Sequence, residues 1–213
     1  MSLTLYFLRH GQTTLSRDDN FCGSGLDPEL TAEGLQMAEA FARYYQSKSW
    51  AAIYASSLRR TRQTAQPLCD LVKIKPEARD DLQEIAYGRW EGLSKEAVSE
   101  KYKDDYVKWL ADPAKNAPTG GELATTVAER ALRVVNEIRE RFSEGNVLVV
   151  SHKATIRILL CSLLGIDVGG FRYRLGCPVS SLSTVEFTAN GPMLQTLADR
   201  SHLDERLRTL PGT

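Results

Sequence analysis

Two short apolar runs constrain this chain more than any other feature. "LTLYFL" (Leu3 to Leu8) and "NVLVVS" (Asn146 to Ser151) carry apolar side chains at odd and even positions alike. Strand side chains alternate between faces, so each run puts apolar groups on both sides of a sheet. Strands of that kind belong in the middle of a sheet covered by helices. A histidine stands just beyond each run, His10 and His152, and the chain has only three histidines. In open α/β sheets ligands bind beyond the carboxyl ends of the strands, so two imidazoles are expected along that edge.

The remaining pattern supplies the helices. Thr31 is placed to cap a helix in which Leu35, Ala38, Phe41, Ala42 and Tyr45 recur at helical spacing. "AAIYASS" (Ala51 to Ser57) is a further short strand. A helix follows it to about Val72, with Pro67 expected to bend or break it. "KIKPEARDDLQEI" reads as extended connection. "SKEAVSEKYKDDYVKWLADP" reads as one helix ending before Pro113, and "NAPTGGE" as a turn. A long amphipathic helix is expected from about Leu123 to Phe142, and an apolar one over "ATIRILLCSLLG". Two strands flank Asn190-Gly191, a hairpin signal. Apolar strands alternating with helices predict an α/β fold: a three-layer sandwich whose mostly parallel central sheet has helices on both faces. A length of 213 residues suits one domain spanning 1–213. The region of about 91–121 is expected as an insertion over the site, and the tail after about His202 as loosely tied.

Composition removes several classes of function. Lys plus Arg equals Asp plus Glu, so there is no broad basic surface for nucleic acid. The four cysteines, Cys22, Cys69, Cys161 and Cys177, are far apart. That is neither a metal-ligand spacing nor a small disulfide framework, and it predicts free thiols in a reducing compartment. The opening segment has no basic n-region and its apolar run stops at Arg9-His10, unlike a signal peptide. No stretch reaches the ~18 apolar residues of a membrane span. A cytoplasmic protein with no membrane partner is expected.

The neighbours of the histidines suggest an anion. Arg9 precedes His10, and Arg59, Arg60 and Arg62 follow a strand at the opening of a helix, where exposed N–H donors already favour anions. Guanidinium groups suit phosphate or carboxylate. A neutral histidine can attack phosphorus if one ring nitrogen is bare, which requires the other to donate to a backbone carbonyl. Arginines and a second histidine can hold the phosphoryl oxygens in the transition state. A carboxylic acid must protonate the leaving alcohol and then take a proton from water. Glu84, in the glycine-punctuated "LQEIAYGRWEG", is the candidate.

Taken in order, these motifs resemble the histidine phosphatase superfamily, with its phosphoglycerate mutase-like fold. "LRHGQTT" is similar to its Arg-His-Gly signature, and "LDPELTAEGLQMA" to its first loop and helix. "YASSLRRTRQTA" resembles its Ser-x-x-x-Arg-x-x-x-Thr-Ala element, "LQEIAYGRWEGL" its glutamate loop, "TGGE" its Gly-Gly-Glu turn and "VLVVSHKATIR" its second-histidine strand. The resemblance covers about Leu3 to Phe187. It implies His10 as nucleophile, Arg9, Arg60 and His152 on the phosphoryl oxygens, and Glu84 as proton donor and acceptor. It also implies contacts from Gln12 and from the backbone of Gly23 and Lys153, with no metal and no cofactor. Two positions depart from the family pattern. Ser16 lies where an asparagine is common, and Lys153 where a glycine usually follows the second histidine. Lys153 either reaches a second anionic group or points to solvent.

The same pocket can hydrolyse a phosphate or move it within a substrate. Mutases of this family carry a basic clamp after the glutamate loop. Here Trp90 to Gly121 mixes lysines and acids without a run of arginines, which points to the phosphatase branch. The expected function is a metal-independent phosphomonoesterase acting on a small phosphorylated metabolite, either phosphoserine or a phosphosugar or phosphoglycerate-type compound. The alternatives are a cofactor-dependent phosphoglycerate mutase and a non-catalytic phospho-ligand-binding module. Tyr87, Arg174 and His202 are candidate specificity residues. Trp90, Tyr102, Tyr106 and Trp109 recur at a spacing that favours packing over a lid. The C-terminal hairpin is a candidate homodimer edge.

Overall fold

The computed structural model describes residues 2–212. Six strands form one sheet: β1 (Leu3–Arg9), β2 (Trp50–Ser56), β3 (Glu77–Arg79), β4 (Gly145–Ser151), β5 (Leu182–Thr188) and β6 (Gly191–Asp199). Their order across the sheet is β3-β2-β4-β1-β5-β6. The β3-β2, β2-β4 and β4-β1 pairings are parallel, while β1-β5 and β5-β6 are antiparallel. A short turn can join only antiparallel strands, so the Asn190-Gly191 hairpin gives the sheet its antiparallel edge.

The helices are α1 (Thr14–Arg17), α2 (Ala32–Tyr45), α3 (Arg59–Val72), α4 (Lys95–Lys101), α5 (Lys103–Ala111), α6 (Ala124–Arg141), α7 (Lys153–Leu164), α8 (Phe171–Arg174) and α9 (Glu205–Arg208). The period of two in the central strands decides where they pack. Leu5, Phe7, Val147 and Val149 meet Val127, Ala131 and Ile138 of α6 and Ile158 of α7. Their neighbours Leu8, Leu148 and Val150 point the other way, onto Phe41 and Ala42 of α2 and Ala65 and Leu68 of α3. Both faces are thereby covered, as the apolar runs require. Thr31 caps α2, its hydroxyl accepting the Gly34 N–H at 3.0 Å.

Three local expectations are corrected. Pro67 does not break α3, which runs through it to the expected end at Val72. Burial of Leu68 and Cys69 holds the last turn against the missing hydrogen bond, which costs about 3 kcal/mol in an unsupported helix. The segment before Pro113 is two helices, broken at Tyr102 (φ −130°, ψ 37°), with no glycine or proline to announce the break. The C-terminal tail is not loose. Leu203 and Leu207 are buried against Met37, Ala40 and Val179, and Asp204 caps α9 by accepting the Leu207 N–H at 2.8 Å.

The aromatic residues of the segment 90–109 pack rather than gape. Trp90 and Trp109 are fully buried with Phe21 and Val98. All four cysteines are free thiols. Among the described residues no helix is long and apolar enough to cross a membrane.

Candidate active site

Register brings the two histidines together. β1 and β4 are parallel neighbours with Arg9 opposite Ser151, so the next residue on each strand is a histidine. The His10 N–H donates to the Ser151 carbonyl at 3.1 Å, and the imidazole centroids stand 5.2 Å apart.

Each ring has a defined tautomer. His10 Nδ1 is 2.7 Å from the Gly11 carbonyl, which can only accept, so Nδ1 carries the proton and Nε2 is bare. Burial, then the Arg60 and Arg9 charges, hold the His10 pKa well below the usual histidine value. The ring is therefore neutral, as a nitrogen nucleophile must be. His152 is tied at both nitrogens. Nδ1 accepts from Arg60 Nε at 3.2 Å, which leaves Nε2–H to donate to Ser56 Oγ at 2.8 Å. Burial first, and Arg60 next, also keep His152 neutral.

Arg60 sits on the first turn of α3. Besides His152, its guanidinium donates to the carbonyls of Leu26 (2.8 Å) and Gly23 (3.1 Å), pinning the loop before α2 against the strand ends. Arg9 donates to the Cys177 carbonyl at 2.7 Å.

Glu84 is positioned by backbone. Its Oε2 accepts the Ala154 N–H, and Oε1 accepts the N–H groups of Thr155 and Ile85 and the Thr155 hydroxyl, at 2.9–3.2 Å. The carboxylate thus rests on the first turn of α7, the helix that begins directly after His152, where N–H groups and the helix dipole favour an anion. From behind, Arg130 of α6 donates to the carbonyls of Asp81, Gln83 and Glu84 and forms a two-pronged pair with Glu122. Glu122 in turn accepts the Ala86 N–H at 3.1 Å.

These elements surround a cleft of about 270 Å³. His10, Arg9, Glu84, Tyr87, Ser16 and Lys153 line it. Arg60 and His152 lie one layer behind, flanking His10. Ser16 is engaged in a capping box with Thr13, accepting its N–H at 2.9 Å. The Gln12 side chain turns away from the cleft, donating to the Pro211 carbonyl at 2.6 Å and accepting from the Thr31 hydroxyl at 2.9 Å. Gly23 meets Arg60 through its carbonyl and, like Arg174 and His202, is not part of the cleft wall. His202 is buried against Phe41 and Tyr45.

Several participants were not singled out from the sequence. Ser56 orients His152, Arg130 and Glu122 hold the Glu84 loop, and Arg157 and Arg172 add cations to the cleft. Ser56 opens the Ser-x-x-x-Arg-x-x-x-Thr-Ala element and Glu122 closes "TGGE", so both stood in quoted motifs without an assigned role, and Arg157 stands four residues after Lys153 on the same helix face.

The geometry is that of a phosphoryl-handling pocket, and the comparisons give its class. The histidine phosphatase superfamily (branch 1) matches residues 5–200, and the chain belongs to that family. It is 31% identical over 201 residues to phosphoserine phosphatase 1 of Hydrogenobacter thermophilus, covering 94% of each chain. It is 32% identical over 171 residues to glucosyl-3-phosphoglycerate phosphatase of Mycolicibacterium vanbaalenii, covering 77% of this chain and 75% of that one. The solved structure of Bacillus stearothermophilus YhfR superposes with a TM-score of 0.88 at 26% identity, covering 95% of this chain and all of that one.

Proposed function

We propose that this protein is a phosphomonoesterase that cleaves a small phosphorylated metabolite through a phosphohistidine on His10. The observation that carries this reading is the His10 tautomer, with Nδ1–H held by the Gly11 carbonyl and a bare Nε2 on a cleft lined by Arg9 and Glu84. Nε2 attacks phosphorus and the bond to the alcohol oxygen breaks. Glu84 gives that oxygen a proton that the phosphoester monoanion brings in, passed through Oε2, the carboxylate oxygen that among the described residues accepts only the Ala154 N–H. Glu84 then takes a proton from water as the water attacks the phosphohistidine, releasing orthophosphate and restoring His10.

Arg9 meets the phosphoryl oxygens directly. Arg60 and His152 join it by giving up the hydrogen bond they make to each other, Arg60 donating from the freed Nε–H and His152 from Nδ1 once that nitrogen has taken up a proton. Arg9, already on the cleft wall, meets the charge that develops. Tyr87 and Lys153 contact the rest of the substrate. Ser16, Gln12 and Gly23 act by holding the loop that follows β1. No step draws on a metal or cofactor.

A phosphatase is favoured over a mutase by the segment 91–121, which we read as an insertion of the single domain. Only Lys95 of its lysines lines the cleft, and it pairs with Asp19 rather than standing ready for a second phosphate. Relatives named for phosphoserine and for glucosyl-3-phosphoglycerate agree with a small phosphorylated metabolite as partner. The zero net charge offers nucleic acid no broad basic face.

The test is orthophosphate release from a panel of phosphoserine, 3-phosphoglycerate and sugar phosphates with chelator present, in wild type and His10→Ala. Release that resists chelator and is lost in the variant supports the reading. Isomerisation of phosphoglycerate without release would replace it with a mutase, and phosphate binding without turnover would leave a binding module.

A further inference from the structure

A second part of the cleft wall is built by Lys153, Arg157 and Arg172. Lys153 and Arg157 stand one turn apart on α7 and share a face. Arg172, on α8, lies with its guanidinium carbon 3.8 Å from the Trp109 ring centroid, a stacking that fixes its plane. Among the described residues none of these three side chains forms an ion pair. The Nε atoms of Arg157 and Arg172 are buried with no hydrogen-bond partner among the described residues. Buried donors without acceptors are rare and costly, so they point to function.

The acids on the cleft are already engaged elsewhere. Asp19 pairs with Lys95, and Glu84 is engaged with the N–H groups of Ile85, Ala154 and Thr155. Three basic side chains thus line the same cleft as His10. Lys153 is repelled by Arg157, and an anion beside them relieves that repulsion.

We infer that Lys153, Arg157 and Arg172 form a second anion site, and that the phosphoester cleaved at His10 carries a carboxylate on its alcohol portion. This rests on the phosphatase reading and narrows its substrate class. A carboxylate presents two oxygens in one plane, which suits the flat guanidinium fork. A second phosphate would present three terminal oxygens, and the Ala154 and Thr155 N–H groups that could serve the third are already given to Glu84. Burial, followed by the charges of Arg9 and Arg157, lowers the Lys153 pKa to about 7, and Asp19 offsets them only in part.

The experiment compares kcat/KM within pairs that differ by a carboxylate. The pairs are O-phosphoserine against O-phosphoethanolamine and 3-phosphoglycerate against glycerol 1-phosphate, with p-nitrophenyl phosphate alongside. Wild type is expected to prefer the carboxylate member of each pair by at least about tenfold, since a site with unmatched buried donors discriminates strongly against the analogue lacking their partner. Arg157→Gln and Arg172→Gln are each expected to shrink that ratio severalfold. If either variant fails to fold, the wild-type ratio and the other variant decide. Equal rates within each pair, or a ratio that survives both substitutions, overturns the inference while the phosphatase reading stands. A preference of about tenfold or more for 2,3-bisphosphoglycerate over 3-phosphoglycerate overturns it in favour of a second phosphate. Hydrolysis of none of the esters, p-nitrophenyl phosphate included, removes the phosphatase reading and this inference with it.

Discussion

Arg60 Nε lies 3.2 Å from Nδ1 of His152, and this contact orders the catalytic edge of the sheet. A guanidinium can only donate, so His152 must accept at Nδ1 and carry its proton on Nε2, where Ser56 Oγ receives it. A lysine at position 60 keeps the charge but loses the planar fork that reaches His152, Gly23 and Leu26 together. Arg60→Lys is expected to lower kcat by about 10²–10³, the usual loss when a preorganised transition-state donor is removed. Nitrogen-15 NMR of the His152 ring should show the fixed tautomer in wild type and a mixed population in the variant. An unchanged kcat with an unchanged tautomer would sink this account.

Neutral His10 sets the acid side of the rate profile. Its pKa is held well below 6.5 by burial and by Arg60 and Arg9, so the nucleophile remains unprotonated as pH falls through 6.5. The limb of kcat/KM that reports His10 protonation is expected at distinctly lower pH. Titration of the His10 ring by NMR assigns the limb. A ring that titrates near 6.5 contradicts the burial argument.

Stability responds to the same burial. All three histidines have pKa values lowered in the folded protein, His202 to about 4. Below pH 6.5 the unfolded chain binds protons that the folded chain refuses, so stability is full above 6.5 and is lost as pH falls. Each such group contributes a slope of about 1.4 kcal/mol per pH unit. For His202 that amounts to about 3 kcal/mol between pH 6.5 and 4. Calorimetric Tm values between pH 7.5 and 4.5 should fall steeply, and less steeply in His202→Gln. Parallel curves would show that His202 does not contribute.

Much of the fold could be read in advance because the runs ending at Leu8 and Ser151 are apolar on both faces, which few arrangements satisfy. The placement of His10 beside His152 follows from the same runs once they pair in parallel register. What was not legible lay in tertiary context. Nothing local marks the break at Tyr102, and the helix through Pro67 persists because Leu68 and Cys69 are buried beyond it. The tail from His202 onward has polar composition, yet Leu203 and Leu207 find Met37 and Val179 across the chain. Arg130 looked like one more charge on an amphipathic helix. Its target is a set of backbone carbonyls, which a sequence does not display.

Arg130 gives its own test. It is a positioning residue, joining the carbonyls of Asp81, Gln83 and Glu84 to Glu122. Its side chain is 12% exposed, so losing it leaves Glu122 and three carbonyls short of a donor in a poorly solvated place. Arg130→Ala is expected to cost about 2–3 kcal/mol of stability, less than a wholly buried pair. It should also lower kcat more than it raises KM, because Glu84 moves while the anion-binding groups stay. Arg130→Lys should recover part of the stability but little of kcat. Equal loss of kcat in an unrelated variant of matched stability would make the role merely structural.

The last prediction joins the fold to the nucleophile. The segment after β1 passes so close to the first turn of α2 that a Cβ on Gly34 would run into the Gln12 carbonyl, and one on Gly11 into the Gly34 carbonyl. These are contacts of backbone with backbone, so no side chain can rotate away to admit a methyl group. Gly11 also supplies the carbonyl that fixes the His10 tautomer, and its own N–H donates to the Thr64 hydroxyl at 3.0 Å. Gly34→Ala must therefore displace either the start of α2, capped by Thr31, or the segment that orients His10. The expected cost is about 1–3 kcal/mol in urea unfolding, in the range of other overpacked sites. A shift of even ~1 Å at the nucleophile is enough for a fall in kcat of about 10². If α2 yields instead, stability drops while kcat holds, and the tight approach serves the fold alone. If both quantities are unchanged, the close packing of Gly34 on Gln12 does not constrain the site.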